Sequence, residues 1–313
     1  MNRTKLLIVL LLLVSFLSAS GCTESSDSDE VPDEPVEPEP VPEGPEADGG
    51  PANEIGGNAL ASESRTVNSE TAGDADQIRT LTVNITSEGQ DYPVYTAAPA
   101  AEGNYSAVLL LHSFNGLEPG YRDMVDRMAA DGFVVVAPQW QTYSRSPPDS
   151  EVEALVRNSV TYLENRDDVD PEKLGLTGFC AGGRYTMLFL PQIEEFGSGV
   201  AWYGFPYSGG TDTQPDEPAS LIDQMEDPIL VIHGTRDEPS SISDIYRYAG
   251  ELDAADKYFE LKVYQGEPHG FMIEEGELSE SFVAQDAYEE MVDFFDRTLN
   301  HRTLDNSSDN SSE

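Results

Sequence analysis

The sequence predicts an α/β fold: a single doubly wound domain with a mostly parallel central sheet and helices on both faces. Three observations carry that expectation. Short apolar runs alternate with amphipathic stretches across residues 77–301, the order that builds a parallel sheet covered by helices. The run Gly178-Phe179-Cys180-Ala181-Gly182-Gly183 stands between a strand-like and a helix-like stretch. Asp237 and His269 each follow shortly after a later apolar run, and in open α/β sheets sites form at the carboxyl ends of strands.

The elements follow in order. Residues 80–85 alternate as a strand, and 91–97 read as its hairpin partner. Residues 106–111 are a continuous apolar run, the mark of a strand buried on both faces. The stretch 121–130 is helical in pattern, with Met124, Val125, Met128 and Ala129 on one side. Residues 133–137 form the next buried strand, closed by Pro138, and 151–164 the next helix. A turn at 167–170 leads into the strand Lys173-Leu174-Gly175-Leu176-Thr177, and a helix-like stretch covers 184–190. Three more strands read at 199–202, 229–232 and 259–264, with helices at 241–254 and 280–299.

The flanks differ in kind. Arg3 and Lys5 precede the apolar run 6–17, and Ala19-Ser20-Gly21-Cys22 follows it. This reads as a lipoprotein signal peptide over 1–21, with Cys22 lipidated, because the apolar run is short for a membrane span. Residues 22–76 mix Pro with acidic residues, as in Pro35-Val36-Glu37-Pro38-Glu39-Pro40. They read as an acidic, disordered tether that cannot bury a core. Residues 302–313 read as a disordered tail of Ser, Asn and Asp. The expected location is the extracellular face of the membrane, held by the lipid anchor.

Charge excludes one class of partner. The chain of 313 residues has 59 acidic against 17 basic residues and a net charge of -42. Nucleic-acid binding needs a basic surface, so it is excluded. The surplus runs through the folded part too, at Asp212, Asp216 and Glu217 and at Glu274, Glu275 and Glu277. The composition resembles that of halophilic archaeal proteins, in which salt screens such self-repulsion. Cys22 and Cys180 are the two cysteines, in unrelated contexts, so no disulfide is expected.

The run around Cys180 carries the chemistry. A strand, a Gly-flanked nucleophile and a helix make a nucleophile elbow, here with a thiol in place of a hydroxyl. Cys180, Asp237 and His269 then form a triad in chain order. A thiol needs a base or a lowered pKa to react. His269 can take its proton and return it to the leaving alcohol, and Asp237 can fix the imidazole tautomer. Backbone N–H groups of Ala181 and Phe114 are the expected oxyanion hole. His112 and His233 are expected to orient loops, and His301 to be exposed. Trp140, Phe114, Trp202, Tyr203 and Phe271 are candidates for an apolar pocket, although core packing explains aromatics equally well. No His/Cys cluster for a metal exists and no cofactor is implied. Asn84, Asn104, Asn306 and Asn310 begin sequons.

On Gly178–Gly183, Ile232-His233-Gly234-Thr235-Arg236-Asp237 and Pro268-His269-Gly270-Phe271, residues 78–300 resemble the dienelactone hydrolase family of α/β-hydrolases. The resemblance implies ester or lactone hydrolysis by Cys180, Asp237 and His269 on a small-molecule substrate. Two positions depart from it. The family's founding enzyme carries a Glu that contacts the resting thiol, where this chain has Ser113, and an Arg for the substrate carboxylate, where it has Ile273. Arg145 and Arg184 are candidates to meet an anionic group instead. The expected function is hydrolysis of a carboxylic ester, thioester or lactone through an acyl-Cys intermediate. A non-catalytic surface binding protein on the same scaffold stays open, as does amide or peptide hydrolysis.

Overall fold

The computed structural model describes residues 65–67 and 78–301, and for 65–67 only the backbone. The expected signal peptide, Cys22, the rest of the tether and the tail at 302–313 lie outside the described residues.

Alternation dictates the first hairpin. β2 (Ile78–Ser87) and β3 (Gln90–Pro99) pair antiparallel from Ser87↔Gln90 to Ile78↔Pro99 around a two-residue turn. A further edge strand, β1 (Arg65–Val67), pairs antiparallel with β2. It falls inside the stretch expected as a tether; three residues flanked by polar sequence carry no readable period.

The remaining strands are apolar runs joined by helices. These are β4 (Tyr105–Leu111), α1 (Pro119–Ala130), β5 (Val134–Pro138), α2 (Asp149–Glu164), β6 (Val169–Phe179) and α3 (Ala181–Phe189). They continue as β7 (Phe196–Trp202), β8 (Ile229–Gly234), α4 (Ile242–Ala254) and β9 (Phe259–Tyr264). A small hairpin, β10 (Ile273–Glu274) with β11 (Glu277–Leu278), precedes α5 (Phe282–Phe295). The nine-stranded sheet has the order β1-β2-β3-β5-β4-β6-β7-β8-β9. Strands β5, β4, β6, β7, β8 and β9 run parallel; β1, β2 and β3 form the antiparallel edge.

Side-chain alternation along β4 builds two cores. Ala107, Leu109 and Leu111 pack into the core shared with α2, α3 and α4. Val108 and Leu110 face the other core, with Met124 and Val125 of α1 and Met291 and Phe294 of α5. The sheet is thus covered on both faces, as a run of buried parallel strands requires. From β4 the chain moves to β5 on one side, then crosses back to β6 on the other. The crevice at that switch point, outside the carboxyl ends of β4 and β6, is where ligands bind in such sheets.

Candidate active site

α3 starts at Ala181, earlier than the stretch 184–190 suggested. Gly182 and Gly183 lower helix propensity, but close packing requires small residues there. A Cβ on Gly178 would overlap the Gly182 carbonyl, and a Cβ on Gly182 would overlap the Leu111 carbonyl. The elbow is therefore wedged against the end of β4. Cys180 takes φ 58 and ψ -112, a backbone region costly for a side chain. This turns the free, partly exposed thiol outward at the α3 N-terminus, where the helix dipole favours an anion.

His269 and Asp237 lie on loops that follow β9 and β8. Arg236 N donates to Glu267 O (2.9 Å), Thr235 N to Tyr264 O (2.9 Å) and Gly266 N to Thr235 Oγ1 (2.8 Å). These bonds lock the two loops together. His269 Nδ1 donates to Asp237 Oδ2 at 2.7 Å. Cys180 lies beside the same imidazole, and its proximity favours the protonated ring. Burial alone would lower the His269 pKa; the bond to Asp237 and the proximity of Cys180 outweigh it and raise it to about 9. The Asp237 carboxylate is fully buried, and its Oδ1 accepts from Ser240 N at 2.7 Å.

The other histidines are structural. His233 Nε2 donates to Ser240 O at 2.9 Å and lies 3.4 Å from Asp237 Oδ2, and burial lowers its pKa. It braces the Asp237 loop as a neutral ring. His112 stacks on Trp140 with ring centroids 5.0 Å apart and donates from Nδ1 to Ser113 O at 2.7 Å. Burial pushes its pKa down to about 4. His301 is exposed.

A cavity of about 520 Å³ opens over Cys180 and His269. Of the aromatics named from sequence, Phe114 and Tyr203 line it; Trp140, Trp202 and Phe271 are core side chains. Tyr121 and Phe205 also line it and were missed. Tyr121 opens an amphipathic stretch that reads as core alone. Phe205 sits just past the carboxyl end of β7, an address that could have flagged it. Its ring and that of Tyr203 lie 5.5 and 5.0 Å from the imidazole. Phe114 follows β4 and lines the cavity, and Ala181 opens α3 directly after the elbow. Ser113 also lines the cavity, and its Oγ accepts from Asn115 N at 3.1 Å.

Neither arginine candidate reaches the cavity. Arg184 is buried and bidentate to Asp149 (2.8 Å each), and it also donates to Ser208 O and Asp216 O. It is a clamp, and is not available to an anionic ligand. Arg145 lies outside the cavity, its guanidinium 4.6 Å from the Phe114 ring centroid.

The far wall is the β10–β11 hairpin. Its turn residues Glu275 and Gly276 have φ of 52 and 86, the two positive values of a type I′ turn. Gly120 N, in the first turn of α1, donates to Gly276 O at 2.9 Å. A Cβ on Gly120 would sit 2.5 Å from Leu278 N, so only glycine allows the hairpin this close. Two-residue strands have no period, which is why the hairpin was not foreseen.

Fold and site together define an α/β-hydrolase. The dienelactone hydrolase family model matches residues 92–299, and the chain belongs to that family. As a member it is a carboxylic ester or lactone hydrolase. A protein assigned as a carboxymethylenebutenolidase in Methylorubrum extorquens is 26% identical over 258 residues, which cover 76% of this chain and 88% of that one. The solved structure of a Klebsiella pneumoniae protein assigned as a dienelactone hydrolase is 25% identical, with a TM-score of 0.64 over 70% of this chain and 98% of that one. A Pyrococcus horikoshii acylaminoacyl peptidase shares the fold at 17% identity, with a TM-score of 0.62 over 71% of this chain and 42% of that one.

Proposed function

We propose that Cys180, His269 and Asp237 hydrolyse a carboxylic ester, thioester or lactone through an acyl-Cys intermediate. The observation that carries this reading is the imidazole of His269, bonded to Asp237 and facing the same cavity as Cys180. His269, whose pKa is raised to about 9 chiefly by its bond to Asp237, takes the proton of the Cys180 thiol as the reaction begins. The thiolate attacks the carbonyl carbon and forms the C–S bond. The amides of Phe114 and Ala181 are the donors assigned here to the oxyanion. As the C–O bond breaks, His269 gives its proton to the leaving alkoxide. Water then loses a proton to His269 and attacks the thioester. The C–S bond breaks, and the thiolate leaves beside a restored imidazolium.

Asp237 holds the tautomer that puts the reactive nitrogen toward sulfur. The wild-type protein should form a covalent adduct one acyl group heavier than the chain, detected by mass spectrometry after a quench. Cys180→Ala should lose the adduct and lower kcat/KM by about 10³-fold or more on an aryl ester panel. Unchanged hydrolysis by that variant would refute the mechanism.

A further inference from the structure

The cavity wall around the reactive pair is acidic and aromatic. Glu118 and Glu275 line it, with Phe114, Tyr203 and Phe205, and no Arg or Lys does. The two acids come from opposite sides. Glu118 precedes α1, and Glu275 occupies the β10–β11 turn. Glu118 Oε1 reaches across to that turn, 3.6 Å from where a Cβ on Gly276 would lie.

Neither carboxylate is matched within the protein. Glu118 stands at the α1 N-cap yet makes no side-chain capping bond. Among the described residues neither Glu118 nor Glu275 joins an ion pair. Burial raises the Glu118 pKa, the signature of a charge held away from water without a partner. Tyr203 lies on the same wall, its side chain fully buried. Aromatic faces beside carboxylates attract a compact cation through ring quadrupole and charge together. His269 at the floor can carry a positive charge, but the two carboxylates at the mouth meet an entering group first and favour a cation there.

We propose that this site selects esters carrying a compact cation, an ammonium or quaternary ammonium group held between Glu118, Glu275 and the ring of Phe205. Esters with an anionic group are repelled. The inference rests on the hydrolase reading only for the ester class; the charge selection rests on the wall itself.

Two measurements separate these parts. In the first, the full chain reacts with methanethiosulfonates bearing a trimethylammonioethyl or a sulfonatoethyl group. The Cys180 thiolate attacks the reagent sulfur, forms a disulfide and releases methanesulfinate. Rates are read on the Cys180 peptide and divided by those with free 2-mercaptoethanol. Potassium chloride at about 2 M shrinks the screening length to a few ångströms, so only local charge acts. The cationic reagent should stay faster by about 10-fold, and Glu118→Gln should cut that ratio several-fold. Glu275→Gln lies in an exposed turn and keeps the test open if the first variant fails to fold.

The second compares acetylcholine with its neutral isostere, 3,3-dimethylbutyl acetate, each corrected for hydroxide hydrolysis. Acetylcholine should be preferred, and the ratio, read within each variant, should fall in Glu118→Gln. A reagent ratio of one or below in high salt, or a ratio unmoved when both glutamates are replaced, overturns the inference. If neither ester turns over while the reagent preference persists, the hydrolase reading fails and the charge selection stands. If both esters turn over equally and the reagent preference is absent, the selection fails and the hydrolase stands.

Discussion

His269 sets the pH behaviour of the site. Its folded pKa, about 9, lies above the ordinary value of 6.5. A raised folded pKa means that the native state holds the proton more tightly than the unfolded chain. The stability it contributes is complete below about 6.5 and is lost as pH rises through about 9. Asp237→Asn removes the bond that chiefly raises it. The melting-temperature gap between wild type and Asp237→Asn should therefore be widest near pH 6 and shrink toward pH 9.5. The same variant should lower kcat by about 10²–10⁴-fold, because the tautomer is no longer held. The residues that meet here were legible in sequence because each follows a strand end: Cys180 after β6, Asp237 after β8, His269 after β9. Glu118 was not, since a lone acid before a helix reads as an ordinary cap. Its place on the cavity wall sets it apart, and that place is visible only in the fold.

At the scale of elements, the Arg184–Asp149 clamp joins the start of α2 to the first turn of α3. Arg184 also ties down Ser208 and Asp216 in the segment after β7, the segment that carries Phe205 to the imidazole. Removing one partner of a buried pair strands the other charge. Arg184→Leu should cost about 3–5 kcal/mol in denaturant unfolding. Arg184→Leu with Asp149→Leu should recover part of that loss, because no charge is then left unpaired. Sequence marked Arg184 as a possible ligand for anions. Its position four residues past the nucleophile gave no sign of a buried carboxylate 35 residues upstream. Long apolar runs were readable because burial on both faces suppresses polar residues. The short β1, β10 and β11 were not, because two or three residues contain no period.

The whole molecule is governed by its charge. Seventeen basic residues cannot neutralise 59 acidic ones, so folding compresses like charge. Self-repulsion of this kind weakens as the screening length falls from about 10 Å at 0.1 M salt to about 3 Å at 1 M. The midpoint of thermal unfolding should rise steadily with potassium chloride between 0.1 and 2 M. A flat response in calorimetry would contradict this. An acidic surface also weighs against anionic substrates at a distance, before the cavity wall acts on them.

The bond from Gly120 to Gly276 has one more consequence. It joins the segment just past the Phe114 loop to the segment just past His269, and together they form one wall of the cavity. That wall belongs to the mouth, while the reacting groups sit beneath it at the α3 N-terminus and on the interlocked loops after β8 and β9. Substitutions in the hairpin can therefore alter which molecules enter without displacing the atoms that break bonds. In evolutionary terms the mouth is an exchangeable part, free to diverge on an inherited engine.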